Sequence, residues 1–178
     1  MTYYGGPAMA RAYRTVRRNT IQIAGDIPAE HYGFTATPDS MSVAGILAHV
    51  AYSPLLQLEI QGTGVTDITT VDFGGLLARI HEEQQKPRDK AATLAMLEAE
   101  GERFASYLDG LSDAFLAEAV TMPPGADPAA KSRFEMLLGV KEHEMHHRAQ
   151  LMIYQRQLGI VPHFTRQQAE RRAQMAQK

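Results

Sequence analysis

The stretch VKEHEMHHRAQLMIYQRQLG, residues 140–159, decides how this chain is read. Val140, His143, His147, Leu151, Tyr154 and Leu158 recur at steps of three and four. That spacing is one face of an α-helix, so it predicts a buried stripe with two imidazoles inside it. Imidazoles at i and i+4 have Cβ atoms roughly 5–6 Å apart, close enough for their nitrogens to converge on one metal ion. His146 lies about 100° from His147 around the helix. It shares its face with Glu142, Gln150 and Ile153, which predicts a supporting or surface role. Two buried imidazoles without a partner would have to stay neutral at a cost in stability, and a metal removes that problem.

The same residues spell H-E-x-x-H, the pattern of zinc proteases in which Glu144 would be the base. The surrounding sequence does not support that reading. The extended form needs a glycine and a third histidine where this chain has Gln150 and Ile153. A downstream carboxylate ligand would have to be Glu170, in a polar tail beyond the helix stop at Gly159 and Pro162. Such proteases also align extended substrates along a sheet edge, and this chain offers almost no strands. Glu144 is therefore one candidate among several.

The remaining chain is helical in pattern. From about Ala8 to Ile27, Met9, Tyr13, Val16, Thr20 and Ile23 share one face, and Pro28 ends the segment. A turn-rich link leads to a second segment, about Met41 to Gln61, with Asp39 or Ser40 as N-cap. Val43, Ile46, Leu47 and Val50 form its apolar side, and Pro54 predicts a bend just after His49. GTGVTDITTVDFGG, residues 62–75, reads as a long irregular connection. A third segment, about Asp89 to Leu108, carries Leu94, Leu97, Gly101, Phe104 and Leu108 on one stripe, and Gly110 lies near its C-cap. A short helix from Ser112 to Ala119 and a rigid loop with three prolines precede the fourth segment, about Ala129 to Gly159. Thr165 with Gln168 predicts a capping box for a final polar helix. The expected fold is all-α: one domain over residues 1–178, an antiparallel four-helix bundle with a short extra C-terminal helix.

Composition narrows the function. With 178 residues, 44% hydrophobic and 21% charged, the chain has the balance of an ordinary globular domain. It contains no cysteine, so thiolate ligands and cysteine nucleophiles are excluded. A transition-metal site must use imidazole and carboxylate. The sequence contains no run of 18 apolar residues and no signal-like apolar core at its start, so a cytoplasmic location without a membrane span is expected. The net charge of −2 argues against nucleic acid as a general partner. The one basic region is the tail from Arg148 onward, with five arginines and one lysine against Glu170. A third metal ligand must come from another helix. His49, mid-helix in ILAHVAYSP among apolar residues, is the candidate. His31, His81 and His163 fall in loops or at helix ends, where a solvated imidazole is expected.

Together, ILAHVAYSP and the pattern His143, His147, Arg148, Ala149, Gln150, Leu151, Tyr154, Arg156, Gly159 resemble the DinB/YfiT-like superfamily over nearly the whole chain. The resemblance implies a four-helix bundle, often a homodimer, that holds a divalent metal by His49, His143 and His147. It also implies either a metal-dependent hydrolase or a thiol-dependent S-transferase acting on a small molecule with an external low-molecular-weight thiol. Three imidazoles leave an open coordination position, as catalytic zinc sites do. Zn or Ni is the first expectation, then Fe or Mn. Glu144, His146, Gln150 and Tyr154 are the candidates for orienting ligands or moving protons. The rival expectation is a non-catalytic metal-binding bundle with a structural, sensing or stress-response role.

Overall fold

Met9, Tyr13, Val16, Thr20 and Ile23 are all buried along one side of helix α1, Gly6–Asp26. The computed structural model describes residues 4–176. Three further long elements complete a four-helix bundle. These are the broken pair α2, Val43–Tyr52, and α3, Pro54–Gly62; then α5, Lys90–Asp109, and α7, Arg133–Gln157. Helix α1 packs on α5 and α7, and α2 packs on the same two. Successive helices α1 and α2 therefore stand diagonally across the core.

The directions follow from the cross-contacts. Tyr13 meets Phe104 edge-on at 4.9 Å, and Lys90 donates to the carbonyl of Gly25, so α1 and α5 are antiparallel. Likewise His49 meets His143 and Tyr154 donates to the Met41 carbonyl, so α2 and α7 are antiparallel. Helices α1 and α7, by contrast, run the same way: Tyr4 meets Phe134, Arg17 meets Glu144, and Gln155 meets the Ile23 carbonyl. Parallel neighbours need long connections. The parallel pair α2 and α5 is joined by such a connection, the passage through α4, Phe73–Gln85, while α5 crosses to the antiparallel α7 through α6, Asp113–Ala117, and a small hairpin.

Several local expectations need correction. Helix α2 is capped by Ser42, whose side chain accepts from Gly45 N–H, and not by Asp39 or Ser40. The helix breaks at Ser53, one turn beyond His49, because Pro54 cannot donate to the ladder and instead starts the next helix at N1. Helix α4 was hidden in the sequence. Only Leu76 and Ile80 are buried, so its apolar stripe is narrow. It places His81 within a helix rather than at an end. Residues 119–121 and 130–132 pair as antiparallel strands β1, Ala119–Thr121, and β2, Ala130–Ser132. That pairing delays α7 to Arg133, where Ser132 and Glu135 form a capping box. The last helix, α8, starts at His163, so Thr165 lies inside it and caps nothing. His163 itself is buried, not solvated.

Val43–Gly62 is long and apolar enough, by length and composition alone, to cross a membrane. Ile46, Leu47, Val50 and Ala51 in that stretch are buried in the bundle core, and the Ser53–Pro54 break divides it. The core continues along the N-terminal half of α1, where Met9 and Tyr13 meet Phe104, Leu108, Leu137 and Val140.

One polar knot crosses the core. Arg17 donates from Nε and Nη2 to both oxygens of Glu144, from Nη1 to the Leu97 carbonyl, and from Nη2 to the Val50 carbonyl and the Tyr13 hydroxyl. It thus joins α1, α2, α5 and α7. A Cβ at residue 101 would lie 2.6 Å from Arg17 Cγ, so glycine is required there for close approach.

Candidate metal centre

Helix α2 is hydrophobic nearly all round, so its mid-point faces the interior, and His49 projects there towards α7. Helix α7 presents His143 and His147 one turn apart. The antiparallel packing of α2 on α7 brings the three together. His49 Nε2 and His147 Nε2 each stand 3.1 Å from His143 Nε2. The ring centroids are 4.5–4.9 Å apart and the planes are edge-to-face. The three Nε2 atoms thus turn towards a common point.

This arrangement suits a cation at that point. A neutral imidazole offers one N–H and one lone pair. His143 Nε2 has two nitrogen neighbours at 3.1 Å and at most one proton to share with them. A central cation would take a lone pair from each of the three nitrogens at once. Ligands at about 2.0–2.1 Å in a tetrahedral disposition stand roughly 3.3 Å apart, close to the spacing found here. The three-histidine group therefore suits a divalent metal ion.

Each ring is also held from behind. His147 Nδ1 lies 2.7 Å from Gln150 Oε1, which accepts its proton and leaves the Nε2 lone pair free. His143 Nδ1 faces Ser53 Oγ at 3.4 Å. His49 Nδ1 faces the Gln84 amide at 3.3 Å. Burial holds all three imidazoles below their ordinary pKa. In His143 the facing imidazoles of His147, His49 and His146 add to burial and bring it down to about 4. The rings are thus kept neutral, the form in which imidazole binds metal.

A cleft of about 560 Å³ opens on the His49–His143 edge of the triangle. Its walls come from α3, α4 and α7. Leu56, Leu77, Ile80, Met136 and Val140 supply apolar surface, and Gln57, Gln84 and His81 supply polar groups. His147 is buried on the far side of the triangle.

The other candidates from the sequence lie elsewhere. Glu144 is buried and both its oxygens are occupied by Arg17, so it supports the site from beneath rather than facing the cleft. The wheel turned it away from His143, yet the buried face of α7 is wide enough to include it. His146 is exposed, with its ring 5.0 Å from that of His147 and Gln150 Nε2 at 3.4 Å. Tyr154 donates to the Met41 carbonyl and packs edge-on against Phe34, two turns from the triangle. Sequence reasoning missed Ser53, Gln84 and the cleft wall of α4. Ile80 and Gln84 at i and i+4 were a faint signal in a stretch with little apolar patterning.

A family model described as the DinB superfamily matches residues 12–151. No curated protein sequence matches the chain. Solved structures that share the fold include the following three. A DinB-like protein, YjoA, from Bacillus subtilis aligns with a TM-score of 0.64 at 19% identity, covering 86% of this chain and 93% of that one. YfiT from Bacillus subtilis, described as "a probable metal-dependent hydrolase with an unusual four-helix bundle topology", aligns with a TM-score of 0.67 at 15% identity, covering 90% and 91%. A mycothiol-dependent maleylpyruvate isomerase aligns with a TM-score of 0.62 at 15% identity, covering 85% of this chain and 63% of that one.

Proposed function

Because the chain belongs to the DinB superfamily, we propose that it is a metal-dependent enzyme acting on a small molecule. The chemistry proposed is hydrolysis or transfer involving an external thiol, with Zn or Ni as the resident ion. The observation that carries this reading is the convergence of His49, His143 and His147 Nε2 beside a cleft with room for a ligand. A structural metal site is normally closed by four protein ligands, whereas three imidazoles beside a cleft leave a position for an exchangeable group. A divalent ion there would supply Lewis acidity and a lowered pKa for an incoming water or thiol. The descriptions of YfiT and the maleylpyruvate isomerase support hydrolysis and thiol-dependent chemistry as the classes to try.

The protein's own residues do the positioning. Gln150, Ser53 and Gln84 fix the three rings from their Nδ1 sides. Leu56, Ile80, Met136 and Val140 exclude water from a bound molecule. His81 lines the same cleft without joining the triangle, and can carry a proton to or from that molecule.

The test is elemental analysis of protein purified without chelators, followed by a screen of the Zn- and Ni-loaded forms against small esters, amides and thiol-transfer substrates. About one ion per chain and turnover that is lost in His143→Ala support the reading. An ion that raises stability with no turnover across the screen would leave only a structural or sensing role. Absence of any bound ion would remove the reading altogether.

A further inference from the structure

The walls of the cleft beside the triangle carry an unusual charge pattern. Among the described residues that line it, none is Arg, Lys, Asp or Glu. Its bulk is Leu56, Leu77, Ile80, Met136 and Val140, and its polar groups other than imidazole are Ser53 and the amides of Gln57 and Gln84. The Gln57 Oε1 atom already accepts from Gln61, which leaves the Gln57 amide N–H groups as donors. Among the described lining residues no side chain carries a fixed positive charge, so apart from the His81 imidazole the positive charge met by a ligand would come from an ion held at one end. Away from His81, a ligand's second charge would sit against aliphatic carbon with no fixed counter-ion, an unfavourable placement.

We infer that this cleft selects a molecule with one polar head that reaches the three-histidine end and an uncharged, mainly apolar body that fills the wall of α3, α4 and α7. Dianions and zwitterionic thiols are discriminated against. The inference rests on the metal reading above and deepens it by naming the substrate class. The volume of about 560 Å³ suits a body the size of a substituted ring or a medium alkyl chain. Selection is by desolvation: the apolar body gains from leaving water, whereas a remote charge against the aliphatic wall loses part of its hydration and meets no fixed counter-charge.

The test uses cobalt-loaded full-length protein and two thiols of nearly the same shape, 4-tert-butylbenzyl mercaptan and 4-(mercaptomethyl)benzenesulfonate. Cobalt absorption reports first that the ion is held, then that a thiol sulfur has reached it. Calorimetry gives the affinities. The neutral thiol should bind roughly tenfold tighter or more, although the sulfonate is the one attracted to the cation. Leu77 is 51% exposed, so Leu77→Lys places a cation on the wall without disturbing the core. That variant should narrow the gap at least about threefold by pairing the sulfonate, while Leu77→Gln should not.

Equal binding of the two thiols, tighter binding of the sulfonate, or a gap unmoved by Leu77→Lys overturns the inference. In those cases the cobalt spectrum still shows an ion in place, so the metal reading survives. A protein that takes up no cobalt overturns both, and that outcome is seen before any thiol is added.

Discussion

Arg17 holds Glu144 by two hydrogen bonds, Nε to Oε1 at 2.9 Å and Nη2 to Oε2 at 3.0 Å, deep inside the bundle. Glu144 follows the candidate ligand His143 in sequence, and the Val50 carbonyl that also receives Arg17 follows His49. One guanidinium therefore ties together the two helices that carry the triangle. In the literal H-E-x-x-H, both carboxylate oxygens of the glutamate are taken by Arg17.

Glu144→Ala should cost about 3–5 kcal/mol of stability, because it strands a buried guanidinium. Urea denaturation would measure it. Joint replacement by Arg17→Met and Glu144→Leu should recover much of that loss, since the charge is removed along with its partner. A loss below about 1 kcal/mol for Glu144→Ala, the range of an exposed pair, would sink the claim that this pair is buried and binding.

Gly101→Ala should also destabilise, by about 1–3 kcal/mol, since the added methyl would collide with the Arg17 side chain. Elsewhere in an α-helix the same change stabilises by a few tenths to one kcal/mol. A neutral or favourable result in thermal unfolding would show that Arg17 can move aside.

Among the histidines, His49→Ala, His143→Ala and His147→Ala should each abolish or severely reduce metal occupancy, whereas His146→Ala should keep it. Gln150→Leu removes the acceptor at 2.7 Å from His147 Nδ1 and should weaken metal affinity about 10–100-fold. Competition with a metal-sensitive dye reads both. Occupancy spared in His49→Ala would show that α2 supplies no ligand.

The metal-free protein should lose stability on acidification. Burial lowers the folded-state pKa of His49, His143 and His147, with His143 brought down to about 4. An unfolded imidazole titrates near about 6.5. Between those values the unfolded chain binds more protons than the folded one, so stability rises with pH. The contribution is fully present above pH 6.5 and is lost as pH falls towards 4. Urea midpoints for metal-free protein at pH 5 and pH 7 should differ in that sense. A higher midpoint at pH 5 would count against neutral, buried imidazoles.

Much of the candidate site could be read before the fold was known. The i, i+4 pair on an apolar stripe selects His143 and His147, because helix periodicity alone decides which side chains share a face. His49 stood out as a lone imidazole in an otherwise apolar helix, and the family resemblance pointed to the same three residues. The four long helices were legible for the same reason of period. Helix α4 was not, since only Leu76 and Ile80 are buried and two glycines open it. The strand pair β1–β2 was not either, since three-residue strands carry no usable alternation.

By itself, then, the sequence determined the helices and the inward-facing imidazoles, because both depend on neighbours three and four residues away. Tertiary structure alone decided the rest. The parallel packing of α1 on α7 brings Arg17 to Glu144 across 127 positions. The packing of α2 on α4 brings Gln84 to His49 across 35. Such contacts depend on how helices are arranged in space, and no local pattern encodes that. The cleft is of the same kind: its wall exists only where α3, α4 and α7 meet.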